Sequence, residues 1–212
     1  MLVHNGVFSL ISNDKLINLV DALIHCQSFK FGNYTLSSGK TSSYYLDLRL
    51  IQSYPNPYKI IIDSYIDLIK NIGIDSFDYV CGIATAGLIY SVPISVLLDK
   101  PHVYIRKSKK GYGRERNLEG TLEHNSKVLL VDDVFTTGTS LVDGFNLIHD
   151  SGSKVSSSIV LIDRLETSHS IFDSLGMKLS NVTNIVDIAN ILYSKSIIDN
   201  EQKNLVLANI ID

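Results

Sequence analysis

Four short apolar runs restrict the possible folds of this chain more than any other feature. They cover residues 78–83, 102–106, 127–131 and 155–163, with helical stretches between most of them. Continuous apolar strands that alternate with helices are typical of a parallel sheet whose two faces are both covered. We therefore predict an α/β fold with a central parallel sheet flanked by helices. In such sheets, ligands bind at the carboxyl ends of the strands.

The two ends of the chain show other patterns. An apolar stripe with Asn13 as its cap predicts a helix that ends near Gln27. Residues 31–50 contain two short β-type runs around a Ser-Ser-Gly turn, which predict a small antiparallel piece. Two prolines introduce a helix over about 57–72. Residues 181–212 predict a short strand and one or two amphipathic helices.

Length and charge limit the class of protein. A chain of 212 residues can bury one sizeable core, so we expect a single domain over 1–212. Residues from about 1–55 would form an N-terminal hood of helix and short antiparallel strands, and residues from about 56–212 the sheet core with C-terminal helices. The net charge of -3 at pH 7 gives no reason to expect nucleic acid as a partner.

The sequence gives no indication of membrane insertion or secretion. The segment from Tyr79 to Leu98 carries no charge, but its glycines, serines and proline favour a buried strand, a loop and a buried helix. The N-terminus lacks a basic region followed by an apolar core. Cys26 and Cys81 stand in apolar surroundings, as reduced and buried thiols do, and we expect a cytoplasmic protein.

The sequence KVLLVDDVFTTGTS, residues 127–140, carries the most chemical information. An apolar strand would deliver Asp132 and Asp133 to the sheet edge, directly before a glycine loop that starts a helix. Backbone N–H groups around a glycine at a helix N-terminus form an anion site, and the loop hydroxyls supply further donors. Two adjacent carboxylates suit hydroxyl groups or a hard cation. A phosphate at one end and a diol at the other describe a ribose 5-phosphate.

A simple helix cap is the alternative, but a cap needs only one side chain. The stretch resembles the phosphoribosyl diphosphate motif of the type I phosphoribosyltransferases, in which apolar residues precede two acids and a Thr/Gly loop. The resemblance implies the fold of that family. It assigns the ribose hydroxyls to Asp132 and Asp133. The 5-phosphate would lie on the loop made of Thr136, Thr137, Gly138, Thr139 and Ser140.

A dense cluster of cations, RKSKKGYGRER, occupies residues 106–116. Like charges at this density repel one another unless an anion neutralises them. A solvated charge run and a nucleic-acid patch are the alternatives. A mobile cationic loop that closes over a diphosphate would exclude water and stabilise the charge on the leaving group.

The same segment resembles the catalytic loop of the orotate phosphoribosyltransferases, whose pattern is Arg-Lys, a spacer, Lys and then Gly. The resemblance implies that Arg106, Lys107 and Lys110 contact the diphosphate. Lys110 would be the catalytic lysine, with Arg106 and Asp133 as the other catalytic residues. The resemblance also implies that Tyr112 binds phosphoribosyl diphosphate, at a position where many bacterial members have histidine. In family dimers this loop reaches the partner's site, so the resemblance implies a homodimer with shared sites.

Two further segments resemble the orotate branch of the family. In FGNYTLSSGKTSSYYLDLR, Tyr44 and Tyr45 would supply a stacking face for a planar pyrimidine, with plain core filling as the alternative. Arg164, which ends Leu-Ile-Asp-Arg, matches the family arginine that pairs with the orotate carboxylate. A guanidinium fork suits a carboxylate, and a surface arginine is the alternative here. The resemblance also implies that Thr136 contacts the orotate.

Two positions depart from the pattern of some members, which have lysine where this chain has Ser37 and Ala86. We expect backbone groups from Ala84 to Gly87 to serve instead.

These features predict an enzyme that transfers the 5-phosphoribosyl group from phosphoribosyl diphosphate to orotate. The products would be orotidine 5-monophosphate and diphosphate, in UMP biosynthesis. The resemblance implies Mg2+ as cofactor, held mainly by the substrate, with contact to Asp132 and Asp133 through water left open. Two alternatives remain: a phosphoribosyltransferase for another base, and a non-catalytic regulator that senses phosphoribosyl diphosphate.

Overall fold

A helix and a two-stranded antiparallel sheet form the N-terminal hood. They are α1 (Asn13–His25), β1 (Phe29–Thr35) and β2 (Thr41–Leu46). The computed structural model describes residues 12–35, 41–106 and 117–211. Ser12 is the N-cap of α1, one residue before the predicted cap, and the apolar stripe of the helix buries Leu16, Leu19 and Leu23.

Strands and helices alternate through the rest of the chain. In chain order they are a 3-10 helix (Leu48–Ser53), α2 (Pro55–Ile72), a second 3-10 helix (Ile74–Ser76), β3 (Tyr79–Ile83), α3 (Ala86–Leu97), β4 (His102–Ile105), β5 (Leu118–Glu119), β6 (Lys127–Phe135), α4 (Thr139–Asp150), β7 (Lys154–Asp163), α5 (Ser170–Ser174), β8 (Leu179–Asn184), α6 (Ile185–Ser194) and α7 (Asn200–Leu207).

Six of the strands form one sheet in the order β5-β4-β3-β6-β7-β8. Every neighbouring pair is parallel except β4 with β5. The predicted α/β fold, with a central sheet, flanking helices and an antiparallel hood, is confirmed. The parallel pairing brings the carboxyl ends of β3, β4, β6 and β7 to one edge of the sheet, where ligand sites of such folds lie.

Both faces of the sheet are covered by apolar cores, which explains why its strands are apolar without alternation. In β6, Leu129 and Val131 belong to the core shared with α1, α2 and α6. Val128 and Leu130, which point the other way, belong to the core beneath α4. All four are fully buried, and full burial of such a side chain stabilises a fold by about 1.5–3 kcal/mol.

Strand β6 is longer than its apolar run predicts. The strand continues beyond residue 131 because Val134 and Phe135 pair with Ile162 and Asp163 of β7. The two aspartates therefore lie within the strand and not after it. The sequence also does not predict β5 or α5, which have two and five residues.

Helix α3 is only partly buried, whereas the sequence predicts a buried helix. Tyr90 and Ile94 lie in the core, but Val92, Val96 and Leu97 are exposed along the outer face. In the described part of the chain, no helix combines the length and the apolar character needed to cross a membrane.

Candidate active site

Four segments meet at the carboxyl edge of the sheet. They are the turn after β3, Arg106 after β4, the stretch from Asp132 to Ser140, and Arg164 after β7. The backbone N–H of Arg164 donates to the carbonyl of Phe135 at 3.1 Å, which joins the last two segments directly. The fold thus assembles four of the predicted site regions from separate parts of the sequence.

Gly138, in the middle of the predicted phosphate loop, is the N-cap residue of α4. Gly138 has φ of +78°, in the left-handed region that favours glycine. A Cβ here would lie 2.9 Å from Phe135 Cε2 and 3.0 Å from Phe172 Cζ, so the space also requires glycine. Because glycine has no side chain to cap the helix, the first-turn N–H groups remain available to an anion.

A small pocket of about 30 Å³ lies against this loop, with walls from residues 132 and 134–141. The hydroxyls of Thr137 and Thr139 face each other at 3.0 Å, so neither serves as a conventional N-cap of α4. This arrangement argues against the helix-cap alternative. The phosphate-binding role of the loop stays a prediction.

Asp132 and Asp133 differ in their surroundings because neighbouring residues of a strand point to opposite faces. Asp132 is 6% exposed, and its Oδ1 accepts the backbone N–H of Asp133 at 3.0 Å. Asp133 is half-buried. The buried hydroxyl of Tyr65 donates to the carbonyl of Asp132 at 2.8 Å and so fixes this end of β6 from below.

Tyr65 lies among the buried, mostly apolar residues of α2, and the sequence analysis assigns it no role in the site. Burial, followed by the negative groups around it, raises the pKa of Tyr65 well above its usual range, so the phenol remains a donor. An aromatic residue with a hydroxyl in a core stripe is the only sign of this role that the sequence offers. Its partner could not be known before the fold.

Gly87, in the first turn of α3, packs directly on Val131 and Asp132 of β6. A Cβ at this position would lie 2.6 Å from the carbonyl oxygen of Val131 and 3.1 Å from Asp132 Oδ1. The turn from Ala84 to Gly87 therefore lies beside the ribose end of the predicted site. This placement fits the expectation that its backbone groups serve the ligand.

Arg164 is buried, with 5% of its side chain exposed, although a surface arginine is the simple alternative. Its guanidinium lies 4.5 Å from the centre of the Tyr44 ring, and Nη2 donates to Ser42 Oγ at 3.2 Å. Nη2 also lies 2.6 Å from Glu166 Oε1. Arg164 thus connects the edge of the sheet to strand β2 of the hood.

The two predicted stacking tyrosines occupy different environments. Tyr44 is 1% exposed and stacks on Phe29, with ring centres 5.3 Å apart and planes 4° apart. Arg164 also packs on its ring, and the burial of Tyr44 fits the core-filling alternative. Burial raises the pKa of Tyr44, so its hydroxyl stays protonated. Tyr45 is half-buried and contacts Tyr34, and its stacking role stays a prediction.

Arg106 stands at the base of the predicted catalytic loop. It forms an ion pair with Glu119, and its backbone N–H donates to the carbonyl of Asn117 at 2.8 Å. The short pairing of β4 with β5 therefore closes the base of the loop. A cleft of about 500 Å³ adjoins this base, lined by Arg106, Asn117, Thr139 and Ser140 among others. The other predicted loop residues, Lys107, Lys110 and Tyr112, lie outside the described residues, as does Ser37.

The aspartate pair is chemically suited to a magnesium ion that is held mainly by a phosphate ligand. Carboxylate oxygens are the donors that Mg2+ prefers, and the ion commonly keeps several waters. No cluster of three or more His, Cys, Asp or Glu side chains able to hold a metal occurs in the described ranges. Asp132 and Asp133 could contact such an ion through its waters.

A second acid-base pair lies under the turn that carries Arg164. Asp163 is fully buried, and its Oδ2 lies 2.8 Å from His169 Nε2. Its Oδ1 accepts the backbone N–H of Leu165 at 2.8 Å. His169 also packs edge-on against Phe135, at 5.0 Å between ring centres. The sequence does not single out this pair.

We expect the free energy of unfolding to fall as the pH rises through the raised pKa of His169. Asp163, as a hydrogen-bond partner and a negative charge, raises that pKa against the opposing effect of partial burial. Below the ordinary histidine pKa of about 6.5, the contribution of the pair is fully present. Above it, the contribution is lost as folded His169 gives up its proton.

Urea denaturation from about pH 6 to pH 9 would measure this dependence. His169→Gln keeps a donor near Asp163 but does not titrate, so it should have a flatter profile than wild type. Equal slopes for the two proteins would show that another group causes the dependence.

Comparison with known proteins places the chain in a family. The family model described as phosphoribosyl transferase domain matches residues 51–188. The orotate phosphoribosyltransferase of Sulfolobus acidocaldarius is 35% identical over 190 residues, which cover 90% of this chain and 94% of the relative. That of Sulfurisphaera tokodaii is 39% identical over 188 residues, which cover 89% and 94%. The chain belongs to the orotate phosphoribosyltransferase family.

A solved structure agrees with this membership. The orotate phosphoribosyltransferase of Aeropyrum pernix superposes with a TM-score of 0.71 at 28% identity, covering 84% of this chain and 99% of that one. The family resemblance predicted from the motifs is confirmed. The roles of individual orotate phosphoribosyltransferase residues in this chain remain predictions.

Proposed function

We propose that this chain transfers the 5-phosphoribosyl group of phosphoribosyl diphosphate to orotate, giving orotidine 5-monophosphate and diphosphate for UMP biosynthesis. The observation that carries the proposal is the position of Arg164 directly after β7, where its backbone N–H donates to the carbonyl of Phe135, the last residue before the phosphate loop. A cation suited to a carboxylate and a loop suited to a ribose phosphate therefore follow two neighbouring strands of the sheet. The names of the relatives support the same reaction.

The ribose end of the donor substrate is assigned to β6 and its loop. The first-turn N–H groups of α4 and the hydroxyls from Thr136 to Ser140 would hold the 5-phosphate. Asp133, which is half-buried, would accept from the ribose hydroxyls, while buried Asp132 orients the strand end through its contact with the Asp133 N–H. The backbone from Ala84 to Gly87 would lie beside the diphosphate.

The base end is assigned to the corner between β7 and the hood. Arg164 would pair with the orotate carboxylate, with Tyr45 and Thr136 near the ring. The sequence predicts that Tyr44 stacks on the base, but we assign it another role. It packs against the guanidinium of Arg164 from within the core. A base without a carboxylate would leave this cation without its ligand.

The reaction exchanges one bond at the anomeric carbon for another. The bond to the diphosphate oxygen breaks with its electron pair leaving on the diphosphate, and a ring nitrogen of orotate supplies the pair for the new bond. That nitrogen loses its proton to water or to the departing diphosphate. Because its conjugation with the ring carbonyls makes it acidic, a strong protein base is unnecessary. Arg106, Lys107 and Lys110 would stabilise charge on the departing diphosphate. Bound magnesium would neutralise part of the same charge.

The assembly and location follow as parts of the proposal. Exposed Val92, Val96 and Leu97 on α3 give an apolar surface suited to a second copy of the chain. A homodimer would let the loop at 107–116 serve the partner's site. Cys26 and Cys81 are free and buried, which supports a reducing, cytoplasmic location.

Orotate consumption, followed by absorbance with phosphoribosyl diphosphate and magnesium, tests the reaction. We expect turnover by wild type that needs magnesium, and a fall in kcat of about 10²–10³-fold for Lys110→Ala, the usual loss when one charge-stabilising group is removed. Lys70→Ala, at an exposed position on α2, is the matched control.

The other outcomes separate the alternatives. Consumption of adenine or another base in place of orotate would keep the fold and discard the base-site assignment. Tight binding of phosphoribosyl diphosphate without turnover of any base would favour the regulator.

A further inference from the structure

Glu166 forms an ion pair with Arg164, the residue assigned to the orotate carboxylate. Its Oε1 lies 2.6 Å from Arg164 Nη2, and the two side chains are 16% and 5% exposed. Glu166 is thus the more exposed partner of the pair. A second carboxylate that binds Arg164 would meet the negative charge of Glu166 there.

The guanidinium has donors left over in this arrangement. Nη2 serves both Ser42 and Glu166. Nε is buried and has no hydrogen-bond partner among the residues that the structure describes. A buried, unpaired N–H of a charged group is costly, and a bidentate carboxylate could satisfy it. The side chain of Arg164 is therefore only partly satisfied by Glu166.

The backbone between the two side chains is fixed at several points. Leu165 has φ of +54°, its N–H donates to Asp163 Oδ1 at 2.8 Å, and its carbonyl accepts from Ile211 at 2.9 Å. An exchange of carboxylates on Arg164 would therefore involve rotation of the Glu166 side chain and leave the turn in place.

We propose that Glu166 competes with the carboxylate of the substrate for Arg164. The ion pair between Glu166 and Arg164 must open before orotate can pair with Arg164. The inference rests on the proposed function and extends it to a specificity-determining residue. A base that lacks a carboxylate leaves the Arg164–Glu166 pair closed. Only a base that carries a carboxylate can replace Glu166 as the ion-pair partner of Arg164.

Steady-state kinetics of Glu166→Gln tests the proposal. The variant keeps the size of the side chain and an acceptor for Arg164 but removes the competing charge. We expect the KM for orotate to fall about three- to tenfold with kcat little changed, as for loss of a partly buried charge pair. Weak binding of uracil, measured by calorimetry, should not change. Glu201→Gln, which removes an exposed charge on α7, is the matched control.

A higher KM for orotate, a lower kcat, or an unchanged KM in Glu166→Gln would each overturn the competition. The first two results would make Glu166 a positioning residue for Arg164. If Glu166→Gln does not fold, Glu166→Asp keeps the charge but shortens its reach, and it should also lower the KM. Wild type that neither binds nor consumes orotate would instead refute the proposed function, and the inference with it.

Discussion

Asp133→Asn is expected to lower kcat/KM by about 10²-fold or more, the largest effect among the site substitutions in the described residues. The side chain keeps its size and one acceptor oxygen but loses its charge. Charge-assisted hydrogen bonds to ribose hydroxyls would weaken, and so would stabilisation of positive charge on the anomeric carbon. Both interactions are stronger in the transition state than in the ground state, so their loss should lower kcat as well as substrate affinity.

The measurement is steady-state kinetics with both substrates varied, together with thermal unfolding. Asp75→Asn, at an exposed position away from the sheet edge, is the matched control. A decrease of less than about threefold would remove Asp133 from the reaction. An equal loss in Asp75→Asn would point to net charge as the cause.

Gly87→Ala is expected to destabilise the fold by about 1–3 kcal/mol and to weaken phosphoribosyl diphosphate binding. The new Cβ would meet the carbonyl oxygen of Val131 at 2.6 Å and Asp132 Cα at 3.2 Å. These are backbone atoms of a central strand, so no side-chain rotation relieves the contact. Either α3 or β6 must shift, and a shift of β6 moves the aspartate pair.

Gly144→Ala is the matched control because it is also a glycine-to-alanine change in a helix. Its Cβ would have only ordinary contacts, at 3.4–3.5 Å, with the ends of apolar side chains. Alanine is favoured over glycine in a helix by about 1 kcal/mol, so this variant should be neutral or more stable. Urea denaturation and ligand titration of both variants would decide. Equal stability of the two variants would contradict the packing argument at Gly87.

The sequence predicts the sheet well because its strands are buried on both faces. Each strand is therefore a continuous apolar run that the chain displays directly, as in 127–131 and 155–163. The phosphate loop is equally visible, since its glycine, hydroxyls and acids are consecutive. The apolar pattern does not predict the end of β6, because Asp132 and Asp133 continue the strand although they interrupt the apolar run.

Side-chain partners across the fold are less visible. Neighbouring residues of a strand face opposite ways, so Tyr44 and Tyr45 could not both have faced one base, and the alternation gives a reason for their different burial. Glu166 is visible beside Arg164 in the sequence, but only the turn at Leu165 brings their charged ends together. The role of Tyr65 depends on a contact between a helix and a strand 67 residues away.

The contacts around Arg164 also have a consequence for the order in which the protein is built. Arg164 bonds to Ser42 across 122 residues of sequence, and Ser43 bonds to Leu205 across 162. The phosphate loop, in contrast, lies within one strand-to-helix connection. Because contacts between distant residues form slowly and a chain emerges from its N-terminus, we expect the base corner to mature last during synthesis. A nascent chain would therefore form its phosphate site before its base site.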